Sequence, residues 1–295
     1  MQFSIIIPTF NNLEYLKLCL HSLEKNSKFK HEIIVHNNGN AEPTNSYLNK
    51  KKILYTYTNR NIGITGGVNE GAKIATTDYI VYAHDDFYFL PGWDTEWTNE
   101  INKIQGNHFY LSGTMVQNGQ VNFYCGDTIE NFDEEKLLKN NDNIKYQDFQ
   151  GSTWAPHVVH KDLWNRVGGF SEEFFPGTGS DPDLNLKLWN EGVRIFKGVG
   201  KCKVYHFGSI VTRKKFKNDD SVTTDSGRKG AKTFLKKWGF SIKFFKKHYL
   251  RGCKTTKYKL IICNKYDGPL KEPKKNFFYY LELLIDKLKI LIMKK

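Results

Sequence analysis

Short β-branched apolar runs alternate, over the first half of the chain, with segments whose apolar side chains recur every three or four residues. Phe3-Ser4-Ile5-Ile6-Ile7-Pro8 predicts a first strand. Leu13, Leu16, Leu20 and Leu23 then share one helical face, so a helix capped by Asn11 or Asn12 is expected to run to about Leu23. Glu32 to His36 reads as a buried strand ending in the turn Asn37-Asn38-Gly39-Asn40, and Ile53 to Tyr57 as a third strand. Asn59 to Gly67 reads as a glycine-rich loop, Val68 to Ala75 as a helix, and Tyr79 to Ala83 as a fourth strand running into His84-Asp85-Asp86. Further helices are expected over Trp93 to Ile104, Lys161 to Val167 and Asp183 to Asn190, around an irregular, strand-rich middle from Phe109 to Phe149. The pattern predicts an α/β fold, Rossmann-like, with a mostly parallel central sheet flanked by helices. Its polar clusters fall just after strand C-termini, where open sheets of this class bind ligands.

From Arg213 onward the chain changes to Lys/Phe/Tyr-rich helical stretches, which places a boundary near residue 212. Residues 213–295 hold 24 Lys/Arg against 7 Asp/Glu, whereas residues 1–212 hold 20 against 24. The overall charge of +13 therefore belongs to the C-terminal third, and a basic segment on a mildly acidic body implies a phosphate-bearing partner. A length of 295 residues with 39% hydrophobic side chains is ample for a core and excludes disordered and collagen-like classes. Five scattered cysteines without CxxC spacing argue against a disulfide framework or a structural zinc site. The first residues show no basic stretch before an apolar run, so a cytoplasmic body is expected, and no run of about 18 apolar residues predicts a spanning helix.

The candidate chemistry starts at Asp85-Asp86. Adjacent carboxylates at a strand end repel unless water or a cation relieves them; a solvated turn is the plain alternative to a Mg²⁺ or Mn²⁺ site. The surrounding order of motifs resembles the inverting family-2 glycosyltransferases of the GT-A fold. Residues 3–12, with "SIIIPTFNN", resemble their first strand. Ile33 to Asn40 resembles the strand that receives the nucleobase, Asn59 to Gly71 ("NRNIGITGGVNEG") the donor-binding loop and helix, and His84 to Asp86 the metal-binding Asp-x-Asp element. Trp154 to Glu173 resembles the acceptor-side segment, Gly179 to Leu184 the start of the catalytic helix, and Lys203 to Gly208 the late strand whose histidine completes the metal shell.

The resemblance implies a transferase for a nucleoside diphosphate sugar, UDP first and dTDP second, acting on a glycan or lipid-linked acceptor in polysaccharide biosynthesis. It implies Asp181 as general base, and Mn²⁺ or Mg²⁺ held by Asp86 and His206. Thr9, Asn37, Asn61, Gly63, Gly66, Gly67, Asn69 and Asp85 fall on the donor side, and Trp154, His157 and Asp183 on the acceptor side. Three positions depart from the family pattern: Asn37 stands where an Asp is usual, His84 replaces a first acidic or amide residue, and Ser180 replaces a Glu. Structural readings stand beside these: Asp181 as a helix cap, His206 as an ordinary strand histidine, Trp154 and His157 as core.

Asn276 to Lys295 carries Glu282, Asp286, Lys287 and Lys289 on a narrow polar stripe of an otherwise apolar helix, the composition of a helix lying in a membrane interface. Bases interleaved with aromatics over Lys236 to Phe240 and Lys243 to Tyr249 suit an anionic membrane surface at its cytoplasmic face. The same helix could instead pack on the body or on another subunit. An inactive glycosyltransferase-fold scaffold and a basic nucleic-acid-binding module are the competing functions; with no RNA-binding signature, no nucleic-acid partner is expected.

Overall fold

The computed structural model describes residues 1–208, 220–255 and 261–293. The elements run β1 (Ser4–Thr9), α1 (Leu13–Asn26), β2 (Glu32–Asn38), α2 (Glu42–Lys51), β3 (Leu54–Thr58), α3 (Gly63–Lys73), β4 (Tyr79–Tyr82), β5 (Phe87–Phe89), α4 (Trp93–Lys103) and β6 (Phe109–Val116). After these come α5 (Glu134–Lys139), β7 (Phe149–Gln150), β8 (His157–His160), α6 (Lys161–Val167), α7 (Ser180–Asn190) and β9 (Ile195–His206). The C-terminal region supplies α8 (Asp220–Trp238), α9 (Ile242–His248), the hairpin strands β10 (Lys254–Thr255) and β11 (Ile261–Ile262), and α10 (Phe277–Ile292). The boundary expected near residue 212 lies outside the described residues.

β1 to β9 form one sheet in the order β3-β2-β1-β4-β8-β6-β9-β5, with β7 paired to β9. β1, β2, β3 and β4 are mutually parallel and β6 is parallel to β9, while β8 is antiparallel to both β4 and β6. The ends of β1, β2, β4 and β9 therefore open on one edge. Ile5, Ile6 and Ile7 are fully buried, as a central strand covered on both faces requires, and Leu54 and Tyr57 are exposed on the edge strand β3.

Helix α3 starts at Gly63, inside the segment that reads as loop, and the reason is its contact with the sheet. A Cβ on Gly71 would sit 2.5 Å from the Ile6 side chain, and one on Gly67 would sit 2.9 Å from His36 and 3.1 Å from Pro8. Glycine at these positions lets the helix lie directly on β1 and β2.

The C-terminal region shares the main core with the sheet, through Phe234, Phe245, Leu250 and Leu270. Against expectation, Cys253 and Cys263 form a disulfide across the β10–β11 hairpin, while Cys19, Cys125 and Cys202 are free and buried. A ten-residue separation carries no spacing signal of its own; the hairpin is what brings the two together. Helix α10 meets α9 through its polar stripe. Tyr279 packs on Phe244 with ring centroids 4.9 Å apart, Glu282 accepts from His248 at 2.9 Å, and Asp286 accepts from the Ser241 amide at 2.7 Å. Its large apolar side chains face outward, with Phe277 and Ile292 each 73% exposed. No helix among the described residues is long and apolar enough to cross a membrane.

Candidate active site

The strand ends assemble the first cluster. Thr9 closes β1 and donates to Asp85 Oδ2 at 2.7 Å, just beyond β4. Strand β5 runs antiparallel to β9 and pairs Phe87 with His206, which folds Asp86 against the end of β9. As a result His206 Nε2 lies 3.6 Å and His84 Nδ1 3.8 Å from the two oxygens of Asp86. One ligand atom from each of His84, Asp86 and His206 falls within 4.8 Å of the others, close enough for one ion to bridge. Burial, with the nearby His206 adding to it, drops His84 to about 4 against the pull of Asp86, so its imidazole is neutral, the form that ligates metal. Burial and the adjacent Asp86 charge lift Asp85 to about 7, opposed by the hydrogen bond from Thr9. Two imidazoles and one carboxylate suit a first-row transition ion. Asp86 and His206 are the ligands the family resemblance implies; His84, a departure from the family pattern, joins them because it stands next to the acidic pair.

Asn37, fully buried near the end of β2, spends its amide hydrogens on Ala41 O at 3.0 Å and Asn45 Oδ1 at 2.7 Å. Its Oδ1 has no hydrogen-bond partner. Asn61 Oδ1 accepts from the Gly63 amide at 2.8 Å and shapes the entry to α3. Gly63 lies at φ +76° with Pro176 O 2.8 Å from a would-be Cβ, Gly66 packs against Ile62, and Gly67 against β1 and β2. What these glycines approach closely is the chain itself. Asn69 departs from its expected donor contact: its Nδ2 and Oδ1 both bond the Phe170 backbone at 2.9 Å, which ties α3 to the loop after α6.

The second cluster gathers around α7. Asp181 is the second residue of this helix, whose N-cap is Gly179, so it is not the cap. Its Oδ1 is buried without a hydrogen-bond partner, and burial lifts its carboxyl to about 7, partly offset by Lys246. One turn on, Asn185 is fully buried, with the Tyr110 hydroxyl beside its side chain. Tyr110 links this helix to His157, whose Nδ1 is 3.0 Å from its hydroxyl, and to the Trp154 carbonyl at 3.3 Å. His157 is buried, which pushes it down to about 3 and keeps it neutral, and its Nε2 has no partner. The Tyr82 ring lies between the two clusters, 5.3 Å from the His84 ring on one side and 5.3 Å from the His157 ring on the other.

Asp183 is not free to meet an acceptor. Fully buried, it accepts from Ser171 Oγ at 2.7 Å and Trp238 Nε1 at 2.8 Å and pairs with Lys237 at 2.9 Å. It joins α7 to α8 instead. Tyr110 and Asn185 went unnoticed in the sequence; the only signal was the four-residue step from Asp181 to Asn185, which puts both on one helical face.

The sheet order and the paired clusters at one strand edge define a GT-A fold. The chain belongs to glycosyl transferase family 2, whose model matches residues 4–164. The matched residues include Thr9, Asn37 and Asp86 and end before Asp181 and His206. An uncharacterized glycosyltransferase of Rickettsia prowazekii is 28% identical over 57% of this chain and 53% of its own length, so the match spans about half of that relative. A second, from Rickettsia typhi, is 23% identical over 84% of this chain and 74% of the relative. Among solved structures, Staphylococcus aureus TarS 1-349 in complex with UDP is 15% identical with a TM-score of 0.52, covering 83% of this chain and 74% of that one. GalNAc-T7 with UDP, GalNAc and Mn²⁺ is 15% identical with a TM-score of 0.54, covering 70% and 44%. At these identities the structures bear on the fold.

Proposed function

We propose that the protein is an inverting, metal-dependent hexosyltransferase that moves a sugar from a nucleoside diphosphate to a hydroxyl of a glycan or lipid-linked acceptor. One observation carries the reading: the His84–Asp86–His206 cluster and the His157–Tyr110 pair beside Asp181 meet across the single ring of Tyr82. Two imidazoles in the donor set favour Mn²⁺ over Mg²⁺. When bound there, the ion would neutralise the diphosphate leaving group. Asp181, with an oxygen lacking any protein partner, takes the acceptor hydroxyl proton as that oxygen attacks the anomeric carbon opposite the leaving group, and a single displacement inverts configuration. Both amide hydrogens of Asn37 are committed to the chain, so it offers only an acceptor oxygen, as a carboxylate would. That matches the N3–H of uracil or thymine and supports UDP first and dTDP second, in line with the UDP in the TarS and GalNAc-T7 structures.

In the same reading residues 1–212 carry the catalytic groups, and residues 213–295 dock on the cytoplasmic face of an anionic membrane through the outward apolar face of α10 and its surrounding lysines. The reading is tested by a thermal-shift screen of the full chain against UDP, GDP, dTDP and CDP, each with Mn²⁺ or EDTA. A Mn²⁺-dependent rise in Tm with UDP, absent in Asp86→Ala, is expected. Equal shifts with EDTA would remove the metal site from the reading, and no shift with any nucleotide would favour the inactive scaffold.

A further inference from the structure

Of the lysines on α8 and α9, Lys237 pairs with Glu173 and Asp183, and Lys247 pairs with Glu282. Lys246 is different. Its Nζ lies 5.2 Å from the centre of the Trp154 ring, on the inner side of α9, and among the described residues the one carboxylate whose field it feels is Asp181, which lies beyond ion-pair distance. A cation drawn partly out of water without a partnered anion is costly, and burial pushes the Lys246 ammonium below its usual range, against the pull of Asp181. Helix α9 packs on α7, which carries Asp181, and the Trp154 segment against Lys246 is joined to His157 through the Tyr110 hydroxyl. Along this contact Asp181 Oδ1, His157 Nε2, Trp154 Nε1 and Ser152 Oγ are buried with no hydrogen-bond partner. Folded chains rarely leave so many buried groups unbonded in one place unless a polar ligand or water completes them.

We propose that this pocket is the acceptor subsite and that Lys246 receives an anionic group, a phosphate ester or a carboxylate, carried by the acceptor next to the hydroxyl presented to Asp181. The inference rests on the transferase reading above and adds the charge class of the acceptor. The gap between Lys246 and Asp181 is what makes room for it: the hydroxyl lies toward the carboxylate, the anion toward the ammonium, and the Trp154 ring forms a wall under the cation. His157 supplies a neutral ring nitrogen for a remaining hydroxyl. It also gives the C-terminal region a part in specificity, because α9 belongs to the basic segment that follows the sheet.

The test is isothermal titration of the full chain, in saturating UDP and Mn²⁺, with two matched pairs of probes: glycerol 1-phosphate against glycerol, and glucuronate against glucose. The wild-type protein should bind at least one charged member about tenfold or more tighter than its neutral partner, the scale of one charge-assisted hydrogen bond. Lys246→Gln should lose that preference and Lys246→Arg should keep it. Which charged member gains tells phosphate from carboxylate. UDP titration of all three proteins is run beside it: equal metal-dependent UDP binding shows the donor site intact, whereas its absence from the wild type would count against the transferase reading itself. Wild-type protein that binds charged and neutral members equally, or binds none, overturns the anionic subsite, as does a preference that survives in Lys246→Gln.

Discussion

Asp181 shows how one environment sets both chemistry and cost. Burial raises its carboxyl from 3.8 to about 7, and Lys246 offsets part of the rise. A base must be ionised, so transfer should climb with pH through about 7 and level off above it. The stability term has the opposite sign. The folded chain holds this proton more tightly than the unfolded one, so the contribution is complete below pH 3.8 and is lost as pH rises through about 7. Asp181→Asn should therefore cut transfer by about 100-fold or more while leaving UDP affinity unchanged. The variant should also unfold at a higher temperature than wild type at pH 8, and by less at pH 5. Unchanged turnover removes Asp181 from the base role. Lower stability at pH 8 contradicts the account of its burial.

At the scale of elements, two carboxylate and amide side chains act as joints between segments far apart in sequence. Asp183 fastens α7 to α8 through Ser171, Lys237 and Trp238, with no exposure to solvent. Asp183→Ala leaves the Trp238 indole and the Ser171 hydroxyl without their acceptor, while Lys237 keeps Glu173, and should cost about 1–3 kcal/mol in urea unfolding. A loss under about 0.5 kcal/mol would mean α8 is held by its apolar contacts alone. Such joints are where the sequence is hard to read. The strands β1, β2 and β4 were legible because a strand buried on both faces writes a continuous apolar run, and α1 because its leucines keep a helical period. The start of α3 was not, because Gly63, Gly66 and Gly67 look like loop until β1 and β2 are seen pressed against them. Asn69 and Asp183 carry side chains that suit a binding site, but their partners, Phe170 and Trp238, are 101 and 55 residues away, and no local pattern reports that distance. The Asp86–His206 pairing was reached only through family resemblance. In the fold it is a product of β5 turning back along β9.

For the whole molecule, the uneven charge and the inverted helix α10 belong together. A helix that packs on its own protein ordinarily buries its apolar face, yet α10 turns Tyr279, Glu282 and Asp286 inward and leaves Leu281, Leu284, Ile285, Leu288 and Leu291 exposed. An apolar face of this extent needs a cover, and Lys274, Lys275, Lys287 and Lys289 around it select an anionic one. The full chain should thus co-sediment with vesicles containing phosphatidylserine and far less with phosphatidylcholine alone. Binding to the anionic vesicles should weaken in about 1 M salt, where the screening length shrinks to about 3 Å, without vanishing, because apolar burial is not screened. Deleting residues 276–295 should abolish co-sedimentation while UDP affinity and the far-ultraviolet spectrum of the body persist, since α10 meets the rest of the chain through a narrow stripe against α8 and α9. Full co-sedimentation of the truncated protein would move the anchor to the basic and aromatic face of α8 and α9. If light scattering instead shows a dimer that the deletion splits, with no vesicle binding by either form, the cover on α10 is a second copy of the chain.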